Sequence, residues 1–88
     1  MASRNATIAS GHGLHARPAA LFVQAVNDSG IDVTIEKDGR EAPAGSILGV
    51  ISLAVNQGDT VTLSADADGA EAVLDQLVAF LETDHDSA

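Results

Sequence analysis

The chain has 88 residues, with 13 acidic against 4 basic ones and a formal net charge of −9, so it lacks the cations of a basic nucleic-acid-binding face. It has no cysteine, no stretch of transmembrane length and no signal-peptide-like apolar run at its start, which excludes a disulfide frame and thiol chemistry and makes the cytoplasm the expected location. One domain over 1–88 with an aliphatic core is expected, because Phe22 and Phe80 are the only aromatic residues.

Residues 2–9 read as a strand, with Arg4, Ala6 and Ile8 alternating against Asn5 and Thr7. A loop containing Gly11 and Gly13 follows. From Ala16 the period becomes helical: Ala19, Phe22, Val23 and Val26 make one apolar face, and Pro18 suits a first turn. Asn27-Asp28-Ser29-Gly30 supplies the stop. Residues 31–36 alternate strictly, with Ile31, Val33 and Ile35 inward. Asp38-Gly39 is a hairpin signal that returns the chain into a short strand at 40–42, ended by Pro43. Ser46 reads as the N-cap of a helix over 47–53.

Gln57-Gly58-Asp59 is a turn signal, and Val61, Leu63 and Ala65 alternate in the strand after it. Asp68 and Glu71 have the spacing of a capping box before an apolar stripe of Ala70, Val73, Leu74, Leu77, Val78 and Leu81. Residues 84–88 are expected to form a frayed acidic tail. The order β-α-β-β-α-β-α, with one wet face on every strand, predicts an α+β fold of an antiparallel sheet covered on one side by helices. Strand order is not fixed by the pattern.

The chemistry concentrates in Gly11-His12-Gly13-Leu14-His15-Ala16-Arg17-Pro18. A glycine-bearing loop that feeds a helix start is a ready anion site, since the first helical amides have no internal acceptors. His15 stands at that junction, beside the free amides of Ala16 and Arg17, and the Arg17 guanidinium can offer paired donors to phosphate. The positive helix end favours the neutral imidazole required for attack on phosphorus, then stabilises the phosphate it carries. Taken alone, a helix-start histidine is equally well explained by packing or capping. No metal cluster, Walker-type loop or second catalytic base is visible, and no cofactor is expected. A chain that can hold a phosphoryl group but shows no nucleotide site reads as a carrier, fed and emptied by other proteins.

Gly13-Leu14-His15-Ala16-Arg17-Pro18-Ala19-Ala20 resembles the active-site motif of HPr, the histidine phosphocarrier family of the phosphoenolpyruvate-dependent sugar phosphotransferase system. Length and element order agree, and Ser46-Ile47-Leu48-Gly49-Val50-Ile51-Ser52-Leu53 resembles the family's regulatory-serine helix. The resemblance implies an open-faced β-sandwich, four antiparallel strands under three helices. It implies that His15 accepts phosphate on Nδ1 from phospho-enzyme I and donates it to a histidine of an enzyme IIA domain. It also implies a docking surface formed by the first two helices of a monomer. The candidates on that surface are Leu14, Ala20, Leu21, Gln24, Ile47, Leu48 and Ile51.

Ser46 needs no role beyond its N-cap, but in many relatives the matching serine is the target of an ATP-dependent HPr kinase. A phosphoserine there would suit the helix end and place charge in the docking patch. His12 departs from the family, and with His15 it makes a poor two-ligand metal site, so no metal is expected. Gln24 and Asn27 stand where relatives often carry basic residues.

The acidity has two readings, a steering field for a basic partner or adaptation to high salt. The dispersal of the acids along the chain favours salt. An HPr-like adaptor acting through phospho-Ser46 is the alternative function. A small-molecule-binding module would need a pocket of which this sequence gives no sign.

Overall fold

The structure is a computed structural model that describes residues 2–9, 16–56 and 58–82, with residues 16–18 described by their backbone. The elements are β1 (Ala2–Thr7), α1 (Ala16–Ser29), β2 (Val33–Lys37), β3 (Arg40–Pro43), α2 (Ile47–Ser52), β4 (Thr60–Ala65) and α3 (Ala70–Leu81). The four strands form one sheet in the order β1-β4-β2-β3, and every neighbouring pair is antiparallel. This is the α+β fold that the alternation predicts, with one face of the sheet under the three helices.

The core follows from the alternation. Ala6, Ile8, Val33, Ile35, Val61, Leu63 and Ala65 bury one face of the sheet against Ala19, Phe22 and Val26 of α1, Val50 of α2, and Ala70, Leu74, Leu77 and Leu81 of α3. The rings of Phe22 and Phe80 lie 6.2 Å apart at 42°, which joins α1 to α3. Arg4, between Ala2 and Ala6 in the inward row of β1, donates from Nε to Asp75 Oδ1 of α3 at 3.0 Å.

Several ends differ from expectation for physical reasons. Strand β1 stops at Thr7, but Ile8 stays paired: its amide donates to the Asp59 carbonyl at 2.9 Å and its carbonyl accepts from the Gly58 amide at 2.9 Å. Strand β2 begins at Val33 rather than 31. The hairpin turns through Asp38 (φ 54) and Gly39 (φ 82), the double positive φ that the Asp-Gly signal demands. Pro43 lies inside β3 opposite Thr34, which an edge strand tolerates.

The capping box of Asp68 and Glu71 does not form. The N-cap is Gly69, in the left-handed region at φ 81 and without a side chain, one residue later than the spacing suggests. The tail at 84–88 lies outside the described residues.

Candidate functional site

Helix α1 begins at Ala16. The amides of Ala16, Arg17 and Ala19 therefore occupy the first turn, where a helix leaves its donors free, and Pro18 has none to leave. No acidic residue stands in that turn to compete for them. His12, Leu14 and His15 lie outside the described residues, as do the side chains of Ala16 and Arg17.

The chain reaches this segment from an ordered end. Ile8 is held by the 58–59 backbone as above, and the Ala9 amide donates to the Leu81 carbonyl of α3 at 3.0 Å. One end of the molecule thus gathers the exit of β1, the 58–59 part of the turn after α2 and the C-terminus of α3.

Among the described residues, Leu21, Ile47, Leu48 and Ile51 are the large apolar side chains left exposed, Leu48 by as much as 78%. Ala20 and Gln24 are exposed on the same side of α1 as Leu21. Helix α2 has six residues and buries only Val50, so its remaining apolar side chains have no core to enter. Because α1 and α2 pack together, these exposed residues lie on neighbouring helices.

Ser46 caps α2 as predicted: its backbone is extended (φ −115, ψ 118), and Oγ accepts from the Gly49 amide at 3.2 Å. It stands by the far end of α1, where Asn27 Nδ2 donates to the Gly45 carbonyl at 3.3 Å. Asn27 follows Ala16 by about three helical turns, or about 16 Å of rise. Ser46 therefore lies by the end of α1 away from Ala16.

An open groove of about 590 Å³, floored by Val26, Ile31, Val33 and Ala42, runs past Ser46 and carries Asp32 and Glu41 on its lining. It lies at the end of α1 away from Ala16 and presents no aromatic wall. No group of three or more metal-ligating side chains occurs among the described residues.

A family model described as "PTS HPr component phosphorylation site" matches residues 2–83. The phosphocarrier protein HPr of Streptomyces coelicolor is 45% identical over 82 residues, covering 92% of this chain and 88% of that protein. The chain belongs to the HPr family. The crystal structure of an HPr from Thermoanaerobacter tengcongensis superposes with a TM-score of 0.88 at 43% identity, covering 93% of this chain and 92% of that one. Crh, the Bacillus subtilis catabolite repression protein, superposes with a TM-score of 0.75 at 42% identity, covering 96% and 97%, and is described as a domain-swapped dimer.

Two cations of this chain have structural roles that the sequence does not announce. Lys37 and Arg40 look like solvated hairpin charges. In the fold, Arg40 Nη2 donates to the Ser52 carbonyl at 3.1 Å and Lys37 Nζ to the Ala54 carbonyl at 2.8 Å. Both close off the carbonyl end of α2, where positive charge is stabilising. The pairing spans hairpin to helix, and no local motif announces it.

Proposed function

We propose that this chain is a phosphocarrier whose His15 takes a phosphoryl group from phospho-enzyme I and passes it to a histidine of an enzyme IIA domain. The observation that carries the reading is the start of α1 at Ala16, one residue after the histidine of a motif embedded in a whole-chain HPr match. The neutral imidazole attacks phosphorus through Nδ1. A new N–P bond forms as the N–P bond to the donor histidine breaks, and the ring keeps its proton on Nε2. The free amides of the first turn and the Arg17 guanidinium receive the transferred oxygens. Donation to enzyme IIA is the same step reversed.

Leu14, Ala20, Leu21, Gln24, Ile47, Leu48 and Ile51 supply the docking face. Its apolar character suits brief encounters that do not depend on long-range attraction. The reading takes the protein as a cytoplasmic monomer, with one carrier per donor. No helix among the described residues is long and apolar enough to cross a membrane.

Incubation with phosphoenolpyruvate and the cognate enzyme I should give an acid-labile phosphate on the wild-type chain and none on His15→Ala. Equal labelling of the two would overturn the assignment.

The likeness to Crh supports a second role, regulatory binding through phospho-Ser46. A kinase acting there would put a dianion at the edge of the docking face without disturbing the helix end that bears it. Altered transcription with unchanged sugar uptake after deletion of the gene would favour this role over transfer.

A further inference from the structure

Lys37 is the only lysine of the chain, and its side chain is just 15% exposed. The ammonium makes two contacts: the Ala54 carbonyl at 2.8 Å and Asp59 Oδ2 at 2.9 Å. Both belong to the turn over 54–59, which is also held by the buried Val55 side chain and by the bond from the Asp59 amide to the Asn56 carbonyl. Ala54 is left-handed at φ 53, a conformation that a side-chain-bearing residue keeps only when its surroundings impose it. Its carbonyl also accepts Asn56 Nδ2 at 3.1 Å, and Asp59 Oδ2 accepts the Asn56 amide at 2.9 Å. The turn is thus folded about one cation supplied from the β2–β3 hairpin.

Its outer edge is the partner of the chain that leads to His15. Gly58 and Asp59 hold Ile8 through two backbone bonds of 2.9 Å each, and residues 8 and 9 run directly into 10–15. Beyond Thr7 the β1 ladder has ended, and these bonds, the Ala9–Leu81 bond and the buried Ile8 side chain hold the chain there.

We propose that Lys37 is a positioning residue for phosphoryl transfer, its ammonium fixing the 54–59 turn and the turn fixing the point from which the His15 segment departs. The proposal rests on the phosphocarrier reading of His15. The Lys37 ammonium bonds to the turn, through the Ala54 carbonyl and Asp59, rather than to the exposed apolar side chains, so its removal should act on the rate within the docked complex and leave docking intact. An uncharged chain of similar length cannot hold a carbonyl and a carboxylate together, whereas a guanidinium can donate to both.

The test compares wild type, Lys37→Met and Lys37→Arg in phosphoryl transfer from phosphoenolpyruvate through enzyme I, with amide hydrogen exchange measured on each intact protein. In Lys37→Met, kcat should fall about fivefold at unchanged KM, the size expected for a modest misplacement of a reacting group. The Ile8 and Gly58 amides should exchange about tenfold faster while the Phe22 and Leu63 amides keep their protection. Lys37→Arg should recover most of both effects.

Faster exchange at Ile8 and Gly58 with wild-type kcat would overturn the proposal, because the turn would then have loosened without consequence. Unchanged exchange at these amides would also overturn it, as would a uniform rise at all four, which marks a purely structural lysine. A wild-type chain that takes no label removes the His15 reading and this proposal with it, whereas a labelled wild type with an indifferent Lys37→Met removes this proposal alone.

Discussion

At the scale of single residues, Ser46 shows how one side chain can serve two ends that separate experimentally. Its hydroxyl caps α2 through the Gly49 amide, and the helix is short enough for that bond to matter. Ser46→Ala should lower stability by about 1 kcal/mol in urea unfolding, the ordinary cost of a lost N-cap. Ser46→Asp keeps an acceptor at the same position, because aspartate caps as well as serine does. It should therefore unfold at nearly the wild-type urea concentration, yet take phosphate from enzyme I more slowly, since it sets a charge beside Ile47 and Leu48. If Ser46→Asp accepts phosphate at the wild-type rate, charge at this position does not regulate docking. At Gly45, a Cβ would sit 2.8 Å from Asn27 Oδ1, so a larger residue there would displace the exposed Asn27 amide that donates to the Gly45 carbonyl.

At the scale of elements, the 54–59 turn shows where sequence reading succeeds and where it stops. Gln57-Gly58-Asp59 was legible as a turn because glycine and aspartate announce one locally, and Gly58 does adopt φ 87. The role of Asp59 within it was not legible, since its partner Lys37 lies in another element and sequence separation hides the pair. The strands and α1 were read closely because their burial period is local. The start of α3 was misread for the opposite reason: Asp68 and Glu71 have a valid local spacing, but a left-handed Gly69 takes the cap. The site divides in the same way. The motif around His15 is contiguous and visible in the sequence, whereas the Lys37–Asp59 pair joins two elements and required the fold.

The Asn56 amide and the Lys37 ammonium hold the Asp59 carboxyl below its ordinary value of about 3.9. A carboxyl whose folded value is depressed binds its proton more readily in the unfolded chain. Its stabilisation is therefore complete above the unfolded value and fades as pH falls through the folded one. Wild type should lose stability relative to Asp59→Asn as pH is taken from 5 down to about 2. The measurement is the difference in urea midpoint between the two proteins, which should shrink across that range. A constant difference would show that Asp59 is not held in its charged form.

At the scale of the molecule, the governing quantity is a charge of −9 on a small body. Among the described side chains, the three cations that might offset it are already engaged within the fold. Arg4 is on Asp75, Lys37 on Asp59 and the Ala54 carbonyl, and Arg40 on the Ser52 carbonyl. Self-repulsion among the carboxylates is thus the long-range term left for salt to act on, and salt shortens its reach from about 10 Å at 0.1 M to about 3 Å at 1 M.

Salt also weakens the ion pairs, and the balance can be judged from exposure. The Arg4–Asp75 pair has side chains 38% and 64% exposed, so little is lost when it is screened. Lys37 is mostly covered, and its bond to a neutral carbonyl does not depend on ionic strength in the same way. Relief of repulsion should therefore outweigh loss of pairing, and stability should rise with KCl. Relief of about 1 kcal/mol corresponds to a rise in Tm of roughly 4–8 °C for a domain of this size, readable by circular dichroism between 0.1 M and 2 M KCl. A Tm that stays flat or falls over this range would mean that the carboxylates are spaced widely enough not to repel. The acidity would then be better explained as a field that meets a basic partner than as an adaptation to salt.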